Sequence, residues 1–303
     1  MTATNSYHKP VLLTESIDAL NIKEEGIYVD VTFGGGGHSR EILNRLGKNG
    51  RLYAFDQDED AIKNAIDDER FTLINQNFRY ISRFLKFYGV KKVDGVLGDF
   101  GVSSHQFDVP ERGFSTRFDG ILDMRMNQSG SVSAQNIVNE YDENQLYRLF
   151  YNYGELKNAK AIAKAIVAAR VHAPIKTGSE LQEVLKPFLQ KFKENKTLAQ
   201  IYQAIRIEVN EEMQVLEDFL LQLPDIVSVG GRISFISYHS LEDRLVKRFI
   251  RDGQFDGAAE KDFYGNTFVP FKKVGGMITP TNEEIKENNR ARSAKLRIAE
   301  RIS

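Results

Sequence analysis

The 303-residue chain carries 41 Lys and Arg against 42 Asp and Glu, so its formal net charge of −1 gives no global attraction for nucleic acid. It contains no cysteine, which excludes disulfides, cysteine-ligated zinc and cysteine nucleophiles. A hydrophobic content of 41% is ordinary for a globular protein, and no apolar run is long enough to span a bilayer.

The first clear pattern is a strand that leads through a glycine loop into a helix. Residues 26–29 form an apolar run typical of a buried parallel strand, and residues 42–46 show the apolar spacing of a helix. Between them stand four glycines, 34–37, which let the backbone turn sharply and approach a ligand. The helix start beyond them offers unpaired N–H groups. We predict a nucleotide-like ligand here, with a tight turn alone as the alternative.

The residues around these glycines narrow the class of ligand. A phosphate loop would end in Gly-Lys-Ser/Thr, whereas His38 follows Gly37, and a dinucleotide fingerprint fits less well because Ser39 holds its third small position. Asp30 suits a ligand with an ammonium group, as in S-adenosylmethionine. The next strand ends on Asp56, which can accept hydrogen bonds from the ribose hydroxyls that adenosyl and NAD ligands share.

The following segments alternate between strand and helix and then change character. After the strand 51–55 we predict a helix over 60–67, a strand over 71–74, a helix over 78–87 and a strand over 93–99. The next convincing strand, 231–237, begins 132 residues after Asp99, far more than a crossover of about 30 residues requires. A domain is therefore inserted between them.

The insert has only helical patterns, over 142–150, 155–171 and 177–188, the last interrupted by Pro187. A long amphipathic helix over 201–223, a helix over 241–251 and a late strand over 293–298 return the chain to the sheet. We therefore predict an α/β, Rossmann-like core with an inserted all-α domain: core over 1–106, insert over 107–200, core over 201–303.

Asp99 lies at the carboxyl end of the fourth strand, and ligands of open α/β sheets bind outside such strand ends. We expect Asp99 to lie over the same crevice as the glycines, with a turn leading into the insert as the alternative. His38 and His105 taken singly are more typical of structural histidines. The five histidines lack metal-ligand spacing, so no metal is predicted.

Seven segments together resemble the bacterial ribosomal RNA small-subunit methyltransferase H family, also called MraW. In chain order they are YVDVTFGGGGHSR (28–40), DFGVSS (99–104), ERGFS (111–115), LDMRM (122–126), QAIRI (203–207), SYHSLEDR (237–244) and RARSAKLR (290–297). The resemblance implies a class I S-adenosylmethionine-dependent methyltransferase that modifies the exocyclic N4 of a cytidine in the decoding region of 16S rRNA. The substrate partner it implies is the small ribosomal subunit, and a homodimer is left open.

The resemblance also implies roles for individual residues. Asp99 is the catalytic candidate, with Ser103 as a helper. The cofactor contacts it implies are Gly36, Gly37, His38, Asp56, Phe78, Asp99 and Gln106.

Because the whole chain is not basic, RNA contact requires local charge. Residues 290–301 hold five basic side chains and one acid, and a basic stripe follows the predicted helix 241–251. We expect RNA contacts from Arg244, Lys247, Arg248, Arg290 and Arg292.

Two other functions stay open at this point: a methyltransferase of the same fold that acts on a small molecule or protein, and a non-catalytic module that binds S-adenosylmethionine. The first residues lack the basic and apolar regions of a signal peptide, so we expect a cytoplasmic protein with no membrane partner.

Overall fold

The computed structural model describes residues 10–189, 191–255, 257 and 269–303. The chain divides into two compact units, Met1–Gly101 with Met213–Ser303, and Val102–Glu212. The second unit is longer at both ends than the insert expected over 107–200, so Ser103 and Gln106 belong to it and not to the core. Within the described ranges, no helix combines the length and apolar character needed to cross a membrane.

The first unit is built on one sheet, which has seven strands within the described residues. They are β1 Ile27–Asp30, β2 Arg51–Phe55, β3 Phe71–Ile74, β4 Val93–Asp99, β5 Val227–Ser237, β6 Phe271–Lys273 and β7 Lys295–Arg301. Their order is β3-β2-β1-β4-β5-β7-β6; β1 to β5 are parallel, and β7 is antiparallel to both neighbours. The predicted Rossmann-like α/β core is confirmed.

Helices cover this sheet because its strands are apolar on both faces: Tyr28 and Val29 of β1 are fully buried, as are Val96 and Leu97 of β4. The helices of the first unit are α1 Leu13–Ala19, α2 Gly37–Arg45, α3 Glu59–Ile62, α4 Ile81–Phe87, α11 Glu212–Leu220 (whose first residue belongs to the second unit), α12 Leu223–Ile226, α13 Ser240–Asp252 and α14 Asn282–Glu287, with 3₁₀ turns over Phe78–Tyr80 and Asn289–Ser293.

The strand order reverses at β1. From β1 the chain adds β2 and β3 on one side of the sheet, and it then crosses to the other side to add β4 and β5. Asp30 at the end of β1 is in register with Leu97 of β4, so the carboxyl ends of both strands reach the same edge of the sheet. Such a switch point leaves a crevice where ligands of doubly wound folds bind. The glycine loop follows β1, and Asp99 ends β4, so both border this crevice.

The second unit is helical and has its own apolar core. Its helices are α5 Ser104–Asp108, α6 Ala134–Glu140, α7 Glu143–Asn152, α8 Ala159–Arg170, α9 Gly178–Leu185 and α10 Glu194–Val209, with 3₁₀ turns at Pro110–Arg112 and Lys186–Phe188. Leu146, Phe150, Ile162 and Leu181, from three of these helices, are completely buried in one cluster. The helices predicted over 142–150, 155–171 and 177–188 are thus present, and α9 gives way to a 3₁₀ turn at the predicted interruption by Pro187.

The predicted single helix over 201–223 is wrong, because the chain breaks between α10 and α11. Asn210 ends α10: its amide nitrogen donates to the carbonyls of Arg206 and Met124, and its Oδ1 accepts from Met126 N–H at 2.8 Å. Glu211 then takes a φ of 49°. The apolar spacing continues across the break, which is why the pattern alone predicted one helix.

Other predicted elements also differ in length, among them the strand expected over 231–237, which begins at Val227. The helix expected over 60–67 spans only Glu59–Ile62, because the chain then turns so that Asn64 Nδ2 donates to the Gly34 carbonyl at 3.0 Å. The segment 78–87 starts as a 3₁₀ turn before α4. The late strand begins at Lys295 instead of 293, because Ser293 still belongs to the preceding 3₁₀ turn.

Candidate functional site

Hydrogen bonds between strand ends hold the loop after β1 in place. The N–H groups of Val31 and Phe33 donate to the carbonyls of Leu97 and Phe55, at 2.9 and 3.0 Å. Thr32 Oγ1 accepts from the Asp99 N–H at 2.7 Å. The loop is therefore tied to β2 on one side and to β4 on the other, which gives the crevice a rigid floor.

Asp30 is fully buried beneath this loop. One of its oxygens accepts from Ser39 Oγ at 2.7 Å, and the other accepts from Thr32 N–H at 3.1 Å. Burial raises its pKa above the usual value, although these hydrogen bonds oppose that effect. Asp30 therefore joins the loop to α2, and its suitability for a ligand with an ammonium group stays a prediction.

The glycines turn the loop into α2, and their backbone needs the absence of a side chain. Gly34 and Gly36 have φ values of 50° and 74°, which disfavour other residues. A Cβ on Gly36 would stand 2.9 Å from the Phe33 ring, and one on Gly37 would collide with the Pro10 ring. Packing within the protein thus also requires glycine at these two positions.

Asp56 lies just beyond β2 and holds the loop from the side. Its Oδ2 accepts from Gly34 N–H and its Oδ1 from Asp58 N–H, both at 2.8 Å. Burial raises the pKa of Asp56 to about 6, against the lowering effect of these two bonds. Each oxygen keeps a lone pair beyond the bond described, so the predicted acceptance of ribose hydroxyls stays chemically available.

Half-buried Asp99 meets two other polar side chains at the crevice, the buried His38 and the half-buried Tyr238. Its Oδ1 accepts from the Tyr238 hydroxyl at 2.7 Å, and its Oδ2 lies 4.0 Å from His38 Nδ1. No residue within the described ranges donates a hydrogen bond to Oδ2. Burial raises the pKa of Asp99 to about 6, although the nearby His38 and the bond from Tyr238 lower it in part. The group is an ionised acceptor near pH 7.5, with one oxygen oriented and the other available.

His38 and Tyr238 have fixed protonation states beside this carboxylate. Burial lowers the pKa of His38 despite the nearby Asp99, so the ring is neutral. Since the Val11 carbonyl 3.3 Å from Nε2 can only accept, Nε2 carries the proton and Nδ1 faces Asp99 with a lone pair. Burial and Asp99 raise the pKa of Tyr238 well above its usual value, so its hydroxyl stays a donor.

Sequence reasoning missed Tyr238 as a functional residue. The available signal was that Tyr238 follows β5 and lies two positions before α13. No sequence pattern indicated that its hydrogen-bond partner, Asp99, lies 139 residues earlier. Glu242 of α13 fixes the backbone there, because its Oε2 accepts from Tyr238 N–H at 2.8 Å and from His239 N–H at 3.3 Å. The N-cap of this helix is His239, whose side chain accepts from Glu242 N–H.

Phe78 is half-buried and packs against other aromatic rings. Its ring centroid lies 5.1 Å from that of Phe219 and 6.1 Å from that of Phe100. Asp56 follows β2 and Phe78 comes after β3, and these two strands are neighbours in the sheet. An apolar ring suits a nucleobase, and the cofactor contact that the resemblance implies for Phe78 stays a prediction.

Ser103 and Gln106 form a capping box at the start of α5 in the second unit. Ser103 Oγ accepts from Gln106 N–H at 3.2 Å, and Gln106 Oε1 accepts from Ser103 N–H at 3.0 Å. Gln106 is buried. This gives Ser103 a structural role in starting the helix, and its predicted help in catalysis and the predicted cofactor contact of Gln106 stay predictions.

The basic candidates lie on two elements of the first unit. Arg244, Lys247 and Arg248 belong to α13, and Arg290 and Arg292 to the 3₁₀ turn before β7. Asp243 in the first turn of α13 pairs with Arg297, Nε to Oδ1 at 2.7 Å, and with Lys295 at 3.4 Å. This acid therefore neutralises part of the charge of β7.

A family model for the MraW methylase family matches residues 5–302. The chain belongs to the MraW methylase family. It is 67% identical over 302 residues to the ribosomal RNA small subunit methyltransferase H of Flavobacterium johnsoniae, covering 100% of both chains. It is 54% identical to the protein of that name from Phocaeicola vulgatus, covering 99% of both. Membership in this family makes the chain a methyltransferase, and the Rossmann-like sheet agrees.

A solved structure of a putative rRNA methylase from Clostridium thermocellum aligns over 100% of both chains, at 15% identity and a TM-score of 0.44.

Proposed function

We propose that this enzyme transfers the methyl group of S-adenosylmethionine to the exocyclic N4 of a cytidine in 16S rRNA, within the small ribosomal subunit. The observation that carries the chemistry is Asp99, an ionised acceptor with one available oxygen at the switch point of the sheet. The names of relatives that match the whole chain support an rRNA substrate. The reaction therefore takes place in the cytoplasm, on ribosomal subunits.

The residues at the crevice fit the cofactor. Asp56 offers acceptor lone pairs to ribose hydroxyls, Phe78 offers an apolar face to adenine, and the loop at Gly36, Gly37 and His38 lets backbone approach the methionine part. The carboxylates of Asp56 and Asp99, whose pKa values of about 6 leave them ionised near pH 7.5, favour a cation here. When bound, S-adenosylmethionine supplies a methyl group made electrophilic by its positive sulfonium.

Asp99 prepares the weak nucleophile. The lone pair of a cytosine N4 is delocalised into the ring, so the amine attacks poorly unless its hydrogens are held and its geometry becomes pyramidal. Asp99 Oδ2 accepts one N–H, while the Tyr238 hydroxyl on Oδ1 holds the carboxylate in one orientation. Alignment of the amine with the methyl group supplies most of the rate enhancement.

The proton leaves after the new N–C bond forms. The methylated nitrogen then carries a positive charge and is a strong acid, so it needs only a nearby acceptor. A carboxylate whose pKa is about 6 takes this proton and returns it to water near neutral pH. His38 stays neutral throughout, since burial lowers its pKa.

RNA phosphates are expected to contact the basic side chains of α13 and of the turn before β7. Phosphate contacts position the substrate without reading its sequence. The cytidine must leave its stack to place N4 in the crevice, as in other enzymes that act on bases. Choice of the target nucleotide then depends on the shape of the ribosomal subunit around it.

A deletion strain tests this function. Nucleosides from the 16S rRNA of cells that lack the gene should contain no cytidine modified by this enzyme at N4, and expression of the wild-type chain should restore it. Expression of Asp99→Ala should not restore it. Unchanged N4 methylation in the deletion strain would contradict the proposal.

The rate of methyl transfer should depend on the ionisation of Asp99. Because only the carboxylate accepts the amine hydrogen, and its pKa is about 6, the single-turnover rate should fall as pH falls below about 6. We expect a rate about tenfold lower at pH 5 than at pH 7.5, with saturating cofactor and subunit. A flat profile from pH 5 to pH 8 would remove this carboxylate from the chemistry.

Tyr238→Phe should shift the fall of the single-turnover rate at low pH towards higher pH. Loss of a hydrogen bond to the ionised form raises the pKa of Asp99, by about one unit for a bond to a charged group. Above pH 8 the rate should approach that of the wild type. Tyr28→Phe is the matched control, since it removes a buried tyrosine hydroxyl that instead accepts from Lys23 N–H. An equal shift in both variants would mean that Tyr238 acts only through general stability.

A further inference from the structure

A cavity of about 340 Å³ lies between the C-terminal half of α13 and strands β6 and β7, within the first unit. Its floor is apolar and comes from Ile250, Phe271 and Ile298, all of them buried residues. None of the residues assigned above to the cofactor or to methyl transfer lines it. Its volume is in the range of small-ligand sites, which are mostly apolar with a few polar groups.

The rim of this cavity is strongly basic. Lys247, Arg251, Lys273 and Arg297 all line it. Arg297 pairs with Asp243, and Arg251 pairs with Asp252, so two of the four charges are partly neutralised. Lys247 and Lys273 are exposed, and no acid within the described residues forms a salt bridge with either. In a chain of net charge −1, this local excess indicates an anionic ligand.

We propose that the cavity binds one nucleotide of the rRNA strand near the target cytidine, with its base on the apolar floor and its phosphate between Lys247 and Lys273. The inference rests on the proposed function, because it takes the substrate to be RNA. Single-stranded RNA is recognised through unstacked bases that pack on protein surfaces and through cations that follow the backbone. An apolar floor beneath a basic rim has both features.

Its position along α13 agrees with this role. The helix starts at Ser240, two positions after Tyr238, whose hydroxyl contacts Asp99. With a rise of 1.5 Å per residue, Lys247 lies about 10 Å and Arg251 about 16 Å along the helix axis from that start. One strand of RNA can therefore deliver a cytidine to Asp99 and a neighbouring nucleotide to the cavity.

Two variants separate the contributions of charge and base. Lys247→Ala with Lys273→Ala removes the phosphate partners and should weaken binding to unmethylated small subunits roughly tenfold, with a salt slope smaller by about 1. Gly276→Leu fills the mouth of the cavity; a Cβ there meets nothing within 4 Å, so the fold should accept it. It should weaken binding about fivefold or more and leave the salt slope unchanged, because it blocks the base and removes no charge.

Lys91→Ala with Lys92→Ala is the matched control. It removes two exposed lysines that precede β4, at the amino-terminal edge of the sheet. Affinity and salt slope of this variant should equal those of the wild type. Thermal unfolding of all variants checks that each is folded.

The outcomes distinguish this proposal from the proposed function. Wild-type protein that methylates small subunits, combined with wild-type affinity in both cavity variants, would overturn the cavity proposal alone. Wild-type protein that binds subunits without methylating them would contradict the function, and the binding data would still decide on the cavity. The cavity variants could instead lose binding to vesicles of anionic phospholipid or to an acidic peptide and keep their binding to subunits. That result would assign the cavity to the other ligand and overturn the proposal.

Discussion

Asp99→Ala should lower the single-turnover rate of methyl transfer by about 10²- to 10³-fold, because it removes the acceptor that holds the amine. Affinity for small subunits should change by less than about tenfold, since phosphate contacts supply most of it. Rates are measured with saturating cofactor and subunit, and affinity by titration of the subunits. A rate near that of the wild type would show that Asp99 takes no part in the reaction.

Asp99→Asn tests the role of the hydrogen-bond acceptor without changing the size of the side chain. The amide has the same shape, but its NH₂ group donates where the substrate amine needs an acceptor, so the rate should fall as it does in Asp99→Ala. Stability should not fall at pH 7.5. The folded-state pKa of about 6 lies above the usual 3.8, so the ionised group costs the fold up to about 3 kcal/mol, which the neutral amide avoids.

The sign of this effect can be checked by pH. Because folding raises the pKa of Asp99, the protonated acid stabilises the fold at low pH, and this contribution is lost as pH rises through about 6. The difference in melting temperature between Asp99→Asn and the wild type should therefore shrink as pH falls from 7 towards 4. A difference that widens on acidification would contradict the assignment of a raised pKa.

Asp56→Ala should weaken the binding of S-adenosylmethionine at least tenfold. It removes two acceptors for ribose hydroxyls, and each hydrogen bond to a charged group contributes about 1.5–3 kcal/mol. It also releases the N–H groups of Gly34 and Asp58, which the carboxylate holds at 2.8 Å. Calorimetry measures the dissociation constant, and Asp60→Ala is the control, because it removes a neighbouring acid of α3 that pairs with Lys63.

An unchanged dissociation constant for Asp56→Ala would mean that the ribose lies elsewhere. Substitution of Gly36 by valine is a less specific test of the same site than Asp56→Ala. At a φ of 74°, and with the Phe33 ring 2.9 Å from a Cβ, valine would strain the loop even without a ligand. Loss of cofactor binding in that variant would therefore not separate ligand contact from folding.

The sheet was largely predictable because its signals are local. The strands up to β4, and the buried part of β5, are short apolar runs bounded by polar residues, and this pattern needs only neighbouring residues. The short edge strand β6, Phe271–Lys273, has three residues, of which two are exposed, so it has no such pattern. The helix break at Asn210 was also not predictable from the sequence pattern, because it depends on contacts with Met124 and Met126, which are distant in sequence.

The candidate site also combines features that local sequence patterns predict with features that depend on tertiary contacts. The places of Asp56, Asp99 and the glycines, at strand ends or directly after them, were predictable from the sequence. The burial of Asp30 under the loop was not, because it depends on Ser39 reaching back across the first turn of α2. The bond from Tyr238 to Asp99 joins residues 139 positions apart, and only the sheet order brings them together. Local patterns thus locate the strand ends, and tertiary structure decides which side chains meet there.

The most direct test of this account is methyl transfer by the purified chain. Isotope-labelled S-adenosylmethionine is incubated with small ribosomal subunits from cells that lack the gene, and the digested 16S rRNA is analysed by mass spectrometry. We expect the label in a cytidine methylated at N4, and no label with Asp99→Ala. Label on another nucleoside, on a ribosomal protein, or nowhere despite bound cofactor would contradict the account.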